Sequence, residues 1–120
     1  MGYNFKRSDR VADLIKEEIA SMILHGGIKD PRIGFVTITS VKMSPDLKEA
    51  KVYFSQIGTE DEKKQSIEGL NNASGFVRRH IAKVLTLKYI PMVSFHYDNS
   101  LEYAEHMEKI FRELKKDGQG

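Results

Sequence analysis

The chain has 120 residues, no cysteine and a formal net charge of +2. This length allows one domain, residues 1–120, with its own hydrophobic core, and the absence of cysteine excludes disulfides, thiol chemistry and thiolate metal sites. No apolar run reaches the roughly 18 residues of a membrane-spanning helix, and the segment "MGYNFKRSDR" lacks the apolar core of a signal peptide. We therefore expect a cytoplasmic protein.

The first predicted element is an amphipathic helix from Ser8 to about Leu24. Ser8 is suited to the N-cap, and Asp9 to the first turn, where the helix dipole favours an acid. Gly26 and Gly27 follow as the expected C-terminal stop. The apolar positions recur at helical spacing and form the expected buried stripe, which is Val11, Leu14, Ile15, Ile19, Met22 and Ile23.

Two β-strands come next in the sequence. The segment "GFVTITSVKM" is rich in β-branched residues, and "KEAKVYFSQI" alternates so that Ala50, Val52 and Phe54 share one face. Between them "SPDL" has the composition of a turn, in which Pro45 supplies a fixed φ. The two strands are therefore predicted to form a hairpin.

The following segment predicts two helices that are interrupted by small residues. Thr59 and Glu62 have the spacing of a capping box, so the second helix runs from there to about Asn72. The third helix is predicted over residues 76–85. The interruption is placed at Gly75, because glycine in a helix interior costs about 1 kcal/mol relative to alanine. The apolar phase nevertheless continues across it, through Ile67, Leu70, Ser74, Val77, Ile81, Val84 and Leu85.

A third strand and a last helix complete the pattern. Pro91 cannot donate to a ladder, so it precedes or edges a strand over residues 92–97. A helix then begins after Asn99 and ends near Lys116, and residues 116–120 are expected to fray. The order α-β-β-α-α-β-α predicts an α+β domain, with a three-stranded sheet covered by helices on one face. The crossover through two helices leaves more than one strand order open.

The middle of the chain is basic although the whole chain is nearly neutral. Between Glu68 and Asp98 there is no Asp or Glu, whereas the flanking segments are mixed or acidic. Such asymmetry favours a face for a polyanion. The alternative is that acids from elsewhere in the fold neutralise this window. Its cations are Arg78, Arg79, Lys83 and Lys88.

The small-residue interruption predicts a phosphate site. A helix that starts beside a glycine leaves its backbone N–H groups approachable, and the helix dipole adds positive charge there. At about 100° per residue, Arg79 and Lys83 point to solvent and Arg78 lies at the border of the apolar face. The alternative is a simple corner between helices with solubilising charges.

Several segments, in order, resemble the ribosome-binding factor A family. They are "SDRVADLIKEEIASMI", "DPRIGFVTITSVKMSPDLKEAKVYF" and "LKYIPMVSFHYDNSLE", and the resemblance covers residues 5 to about 115. The order of elements after the first helix is similar to a type II KH domain. KH domains clamp nucleic acid with a GxxG loop, and here the Ala-x-Gly interruption of this family stands in its place at Ala73, Ser74 and Gly75.

The resemblance implies a protein that binds free or immature 30S small ribosomal subunits through 16S ribosomal RNA. It implies a role in late maturation, including processing of the RNA 5′ end, that matters most in the cold. It implies no catalysis and no cofactor, and it is compatible with a functional link to a maturation GTPase. We expect a monomer without a membrane partner.

The resemblance also assigns RNA contacts to particular residues. They fall on the interruption itself, on the third helix and on the start of the chain. Lys88, at the far end of the basic window, is a further and weaker candidate. The residues implied by the resemblance are Ala73, Ser74, Gly75, Arg78, Arg79, Lys83, Lys6, Arg7 and Arg10.

Two other classes of function are alternatives. An enzyme is disfavoured, because the histidines are scattered and no metal-binding or nucleophile motif occurs in the sequence. We therefore assign no catalytic and no metal-binding residue. The rival is a protein-binding module, in which the charged segments "TEDEKK" and "EHMEKIFRELKK" would dock a partner with help from surface tyrosines.

Overall fold

A computed structural model describes residues 6–118, and within that range the predicted order of helices and strands is confirmed. The fold is α+β, as predicted, and it is consistent with a KH-like domain. Residues 1–5 and 119–120, the latter part of the predicted frayed tail, lie outside the described range. The elements are α1 (Arg7–Leu24), β1 (Val36–Met43), β2 (Glu49–Gln56), α2 (Glu60–Asn72), α3 (Ser74–Val84), β3 (Met92–Tyr97) and α4 (Ser100–Gly118).

The sheet has the order β1-β2-β3, which resolves the arrangement that the sequence left open. β1 and β2 form the predicted antiparallel hairpin, with Ile38 opposite Phe54. β3 lies parallel to β2 on its other side, after the crossover through α2 and α3. One sheet face is buried, and its side chains include Ile38, Ala50, Val52, Phe54, Val93 and Phe95.

Three helices cover that face. The residues predicted to be buried on these helices are buried or half-buried, except at two positions. Leu14 of α1 is 47% exposed and Val84 of α3 is 46% exposed, although both were predicted to be buried. The buried helix side chains include Val11, Ile15, Ile19 and Met22 of α1, Leu70 of α2, and Val77 and Ile81 of α3.

The ends of the helices follow the sequence signals at most points. Thr59 and Glu62 form the predicted capping box at the start of α2, and Gly26 adopts the left-handed φ of 71° after α1. The start of α1 differs from the prediction. Its N-cap is Lys6, which makes no side-chain cap bond, and Ser8 lies inside the first turn.

The last helix differs from the other three, because its apolar stripe faces solvent. Phe111 is 63% exposed and Leu114 is 61% exposed. The start of α4 is nevertheless fixed, since Glu102 Oε1 accepts hydrogen bonds from Lys63 Nζ at 3.0 Å and from Tyr97 Oη at 2.6 Å. The helix continues past its predicted end at Lys116.

The connector between α1 and β1 packs against α2. Ser66 Oγ accepts a hydrogen bond from the Gly34 amide at 3.0 Å. Asp30 Oδ2 binds Arg32 Nη2 at 2.8 Å, and this Arg32 side-chain bond is the main reason that the pKa of Asp30 falls to about 2. Among the helices formed by residues 6–118, none combines the length and apolarity needed to cross a bilayer.

Candidate nucleic-acid interface

The joint between α2 and α3 consists of one residue, Ala73. Its φ of −87° and ψ of 1° interrupt the helical backbone, so the break lies at Ala73 and not at Gly75 as predicted. α3 therefore begins at Ser74, earlier than expected. Gly75 falls inside the first turn of α3, where glycine costs less than in a helix interior because the turn lacks a full set of intrahelical bonds.

The start of α3 is open to solvent. Gly75 is exposed, and a Cβ added there would meet only Arg79 Nη1, at 3.8 Å. No side chain caps the helix start, so no capping oxygen offsets the partial positive charge of its first turn. On one side the joint borders a depression that Lys29 and Asp30 line. The predicted approach for an anion is therefore sterically available.

Arg79 and Lys83 extend this opening along α3. Both side chains are exposed and stand about one helical turn apart. Among the side chains that the structure describes, those of residues 6–116, neither has a carboxylate oxygen within 4.0 Å. The Arg79 guanidinium lies 5.9 Å from the centre of the Phe76 ring, and Phe76 is 45% exposed. The helix therefore presents Arg79 and the Phe76 ring close to its start and Lys83 near its end.

Arg78 lies at the border of the apolar face of α3, as predicted, and it is bound by the protein's own backbone. Its Nε donates to the Pro91 carbonyl at 3.0 Å and its Nη2 donates to the Ile90 carbonyl at 3.3 Å. The side chain is half-buried. These bonds tie α3 to the loop that leads into β3. The contact of Arg78 with RNA stays a prediction, and the side of the guanidinium that carries Nε and Nη2 is occupied by these two carbonyls.

One residue of the basic window, His80, is in contact with an acid from outside the window. His80 Nε2 lies 2.9 Å from Glu18 Oε1, which joins α3 to α1. The four cations of the window, Arg78, Arg79, Lys83 and Lys88, have no carboxylate partner among the side chains that the structure describes. The alternative that acids from elsewhere in the fold neutralise these four cations is therefore not supported by the described side chains.

A second basic cluster lies at the far end of α3. Arg7 and Lys88 line one depression together with Tyr89, which is 57% exposed. Lys88 Nζ lies 5.5 Å from the centre of the Tyr89 ring, and Lys48 Nζ lies 5.9 Å from it. The depression also contains Asp46, whose pKa is lowered chiefly by the hydrogen bond from the Ser44 hydroxyl.

Sequence reasoning missed two members of this cluster, Lys48 and Tyr89. The pair Lys88-Tyr89 stands in the acid-free window, and a basic residue beside an aromatic one is the signal that would have found Tyr89. The residues around Lys48 in the sequence do not indicate that it belongs to this cluster, because Lys48 approaches the Tyr89 ring from the hairpin turn.

The two clusters lie along one pair of helices. α1 and α3 run antiparallel, since Glu18 contacts His80 while Arg7 shares a depression with Lys88. Lys83 in the last turn of α3 is therefore at the same end as the first turn of α1, where the predicted Lys6, Arg7 and Arg10 are all exposed. The name basic face is used for six exposed cations on these helices or close to their ends, namely Lys6, Arg7, Arg10, Arg79, Lys83 and Lys88.

The basic face can neutralise phosphates and can support a base on Phe76 or Tyr89. Phosphate contacts of this kind fix position and carry no sequence code. A path for a sugar-phosphate chain would start at Gly75, follow Arg79 and Lys83, and end near Lys88. Within the described part of the chain, no three or more His, Asp or Glu side chains are grouped so as to hold a metal ion.

Comparison with known proteins gives consistent matches. Residues 7–111 match the family described as ribosome-binding factor A. The ribosome-binding factor A of Citrifermentans bemidjiense is 48% identical over 109 residues, which are 91% of this chain and 91% of that protein. The crystal structure of ribosome-binding factor A from Thermus thermophilus superposes with a TM-score of 0.64 at 20% identity, covering 79% of this chain and 97% of that one.

A further solved structure places such a protein in a complex. It is a homology model of Thermus thermophilus ribosome-binding factor A fitted into a cryo-electron microscopy map of a 30S–RbfA complex, and it superposes with a TM-score of 0.55 at 17% identity. It covers 72% of this chain and 93% of that chain. At this identity the likeness concerns the fold alone.

Proposed function

The chain belongs to the ribosome-binding factor A family, and from that premise we propose that it binds the small ribosomal subunit through ribosomal RNA. The observation that supports this most directly is the start of α3. An exposed glycine and an uncapped helix end lie next to each other there, and Arg79 and Lys83, two exposed cations without a described carboxylate partner, follow along the helix. This combination suits an RNA backbone and has no evident role in the core.

Each group has a role in the proposed contact. Gly75 lets the sugar-phosphate chain approach the helix start, and Lys83 neutralises a phosphate as a point charge. Arg79 offers a planar fork to phosphate and stands beside the Phe76 ring, where a base can stack. Arg78 positions the loop before β3 through its bonds to Ile90 and Pro91.

The contact extends to the second basic cluster. Lys6, Arg7 and Arg10 at the start of α1 and Lys88 after α3 add phosphate contacts, and Tyr89 between two lysines offers a second ring. Such a surface reads the shape of folded RNA, because it can engage backbone without reading base edges.

The family suggests the target and the setting. A related protein was fitted into the map of a 30S–RbfA complex, and the fold is shared. We propose that this chain acts on free or immature 30S subunits in the cytoplasm. It would assist late maturation, including processing of the 16S RNA 5′ end, chiefly at low temperature. It acts by binding, as a monomer, without catalysis, and a maturation GTPase can act on the same particle.

Co-sedimentation with purified small subunits tests this proposal. With about six phosphate contacts, the logarithm of affinity should fall with the logarithm of salt at a slope of roughly −4 to −5. Large subunits serve as the control and should bind at least tenfold more weakly. A flat salt response, or equal binding to both subunits, would contradict the proposal.

A further inference from the structure

Two large apolar side chains are almost fully exposed at one end of the sheet. Phe35 is 95% exposed and Ile57 is 97% exposed. Because Val36 pairs with Gln56, Phe35 and Ile57 stand opposite each other one step beyond the ladder. Single exposed apolar residues are ordinary, whereas a facing pair of this size marks a contact surface.

This pair forms one wall of a depression whose volume is about 700 Å³. The opposite wall is the start of α4, where Leu101 is 69% exposed. The acidic residues Asp98, Glu102 and Glu105 line the same depression. We call it the apolar–acidic depression.

The charge at this depression is negative. Its one lining cation among the described residues is Lys63, and Lys63 Nζ already binds Glu60 at 3.5 Å and Glu102 at 3.0 Å. Hydrogen bonds from Tyr97 and Lys63 lower the pKa of Glu102, so this carboxylate stays charged at neutral pH. Glu105 is exposed and has no cation within 4.0 Å among residues 6–118.

We propose that the apolar–acidic depression docks a basic segment of a protein of the small ribosomal subunit, with a large apolar side chain between Phe35, Ile57 and Leu101. Lysine or arginine residues flanking that side chain would meet Glu105 and Asp98. This inference rests on the proposed function, because it places the partner on the same particle as the RNA. The chain would then hold RNA on its basic face and protein on the depression.

The charge distribution favours this occupant over others. RNA is disfavoured because its phosphates would face the carboxylates of the rim. A second copy of the chain is disfavoured because a symmetric contact would bring the same carboxylates together. A basic polypeptide satisfies the rim and buries the apolar pair.

Site-specific photo-crosslinking identifies the occupant. Ile57 is replaced by p-benzoylphenylalanine, and the chain is bound to purified small subunits and irradiated. We expect crosslinks to a lysine- or arginine-rich segment of a ribosomal protein. Crosslinks to RNA alone, to a second copy or to α4 of the same chain would overturn the inference, as would none at all.

A matched position separates this inference from the proposed function. Ala82 is exposed on α3 beside Lys83, so the same crosslinker placed there should react with ribosomal RNA. If position 82 crosslinked to RNA and position 57 gave no protein crosslink, the docking site would be refuted. The proposed function would be unaffected. Failure of the unmodified chain to sediment with small subunits would overturn both.

Affinity measurements give a second test. Phe35→Ser with Ile57→Ser should weaken small-subunit binding about tenfold, by a factor that is the same at low and high salt, because apolar contacts release no counterions. The control is Phe111→Ser with Leu114→Ser, which removes exposed apolar side chains of α4 outside the depression. Unchanged affinity of the first variant, or an equal loss in the control, would contradict the docking site.

Discussion

The side-chain amide of Asn71 forms two hydrogen bonds with the backbone of Phe95. The Phe95 N–H donates to Asn71 Oδ1 at 2.9 Å, and Asn71 Nδ2 donates to the Phe95 carbonyl at 3.1 Å. β3 is an edge strand, so these bonds occupy backbone groups that have no neighbouring strand. Asn71 stands at the end of α2, next to the joint at Ala73. The joint is thereby fixed against the sheet.

We expect Asn71→Ala to lower the free energy of unfolding by about 2–4 kcal/mol, because both backbone groups of Phe95 lose their partners in a half-buried place. Urea denaturation measures this change, and amide exchange at Phe95 should accelerate in the same variant. Asn72→Ala is the control, since Asn72 is exposed and should change stability by less than about 0.5 kcal/mol. Equal stability of the two variants would show that the hydrogen bonds between Asn71 and Phe95 contribute nothing to the free energy of unfolding.

Gly75→Ala should stabilise the chain by about 0.5–1 kcal/mol, because alanine is the better helix former. The backbone at Gly75 is not in the left-handed region, and the new methyl group meets only the end of the Arg79 side chain. Thermal unfolding measures the gain. A loss of stability would mean that the fold itself requires glycine there, and the steric argument for an RNA approach would lose its basis.

Gly69→Ala should have the opposite effect. A Cβ at this buried position would lie 2.8 Å from Ile33 Cγ1 and 3.3 Å from Arg32 Cβ, so α2 and the connector must move apart. We expect a loss of about 1–3 kcal/mol, measured in the same thermal unfolding experiment as Gly75→Ala. A neutral result would indicate that the connector can shift freely.

The carboxyl group of Asp30 should make stability depend on acid pH. Its pKa is about 2 in the folded chain, lowered from 3.8 chiefly by the side-chain bond to Arg32. A depressed pKa stabilises the fold above the unfolded value, and this contribution is lost as pH falls from about 4 to about 2. We expect Asp30→Asn to be less stable at pH 7 and to show a shallower decline over that interval. Parallel urea titrations between pH 2 and pH 7 measure both, and identical pH profiles would refute the linkage.

Local signals in the sequence predicted most of the fold. The capping box of Thr59 and Glu62 and the left-handed Gly26 depend on neighbours within a few residues, so the sequence carries them directly. The strand over residues 92–97 was also predicted with its observed bounds. The break at Ala73 was displaced to Gly75 because the apolar phase is continuous and does not mark where the backbone turns.

Contacts between distant parts of the chain were beyond local reasoning. The carbonyl partners of Arg78 lie in the loop before β3, and Glu18 comes from α1 to reach His80. The helix after Asn99 was predicted, but the prediction of a helix does not show whether another element covers its apolar side chains. The same holds for Phe35 and Ile57, which become a pair only through the strand register.

The last prediction concerns the basic face. It uses a double variant in which the charges of two exposed side chains are reversed and no core residue is changed. Arg79→Glu with Lys83→Glu should weaken binding to small subunits at least tenfold. It should also reduce the salt slope by about 2, because roughly two phosphate contacts are lost. Both side chains are exposed and have no carboxylate partner among the described residues, so the fold should persist, as circular dichroism can check.

Lys64→Glu with Lys109→Glu is the matched control, since it makes the same change of net charge at exposed positions on α2 and α4. If binding responded only to net charge, the two double variants would lose affinity equally and with the same change in slope. A larger loss of affinity in the α3 variant than in the control would place the RNA contact on α3. Full binding by the folded α3 variant would mean that RNA does not lie along this helix, even though the family membership would be unaffected.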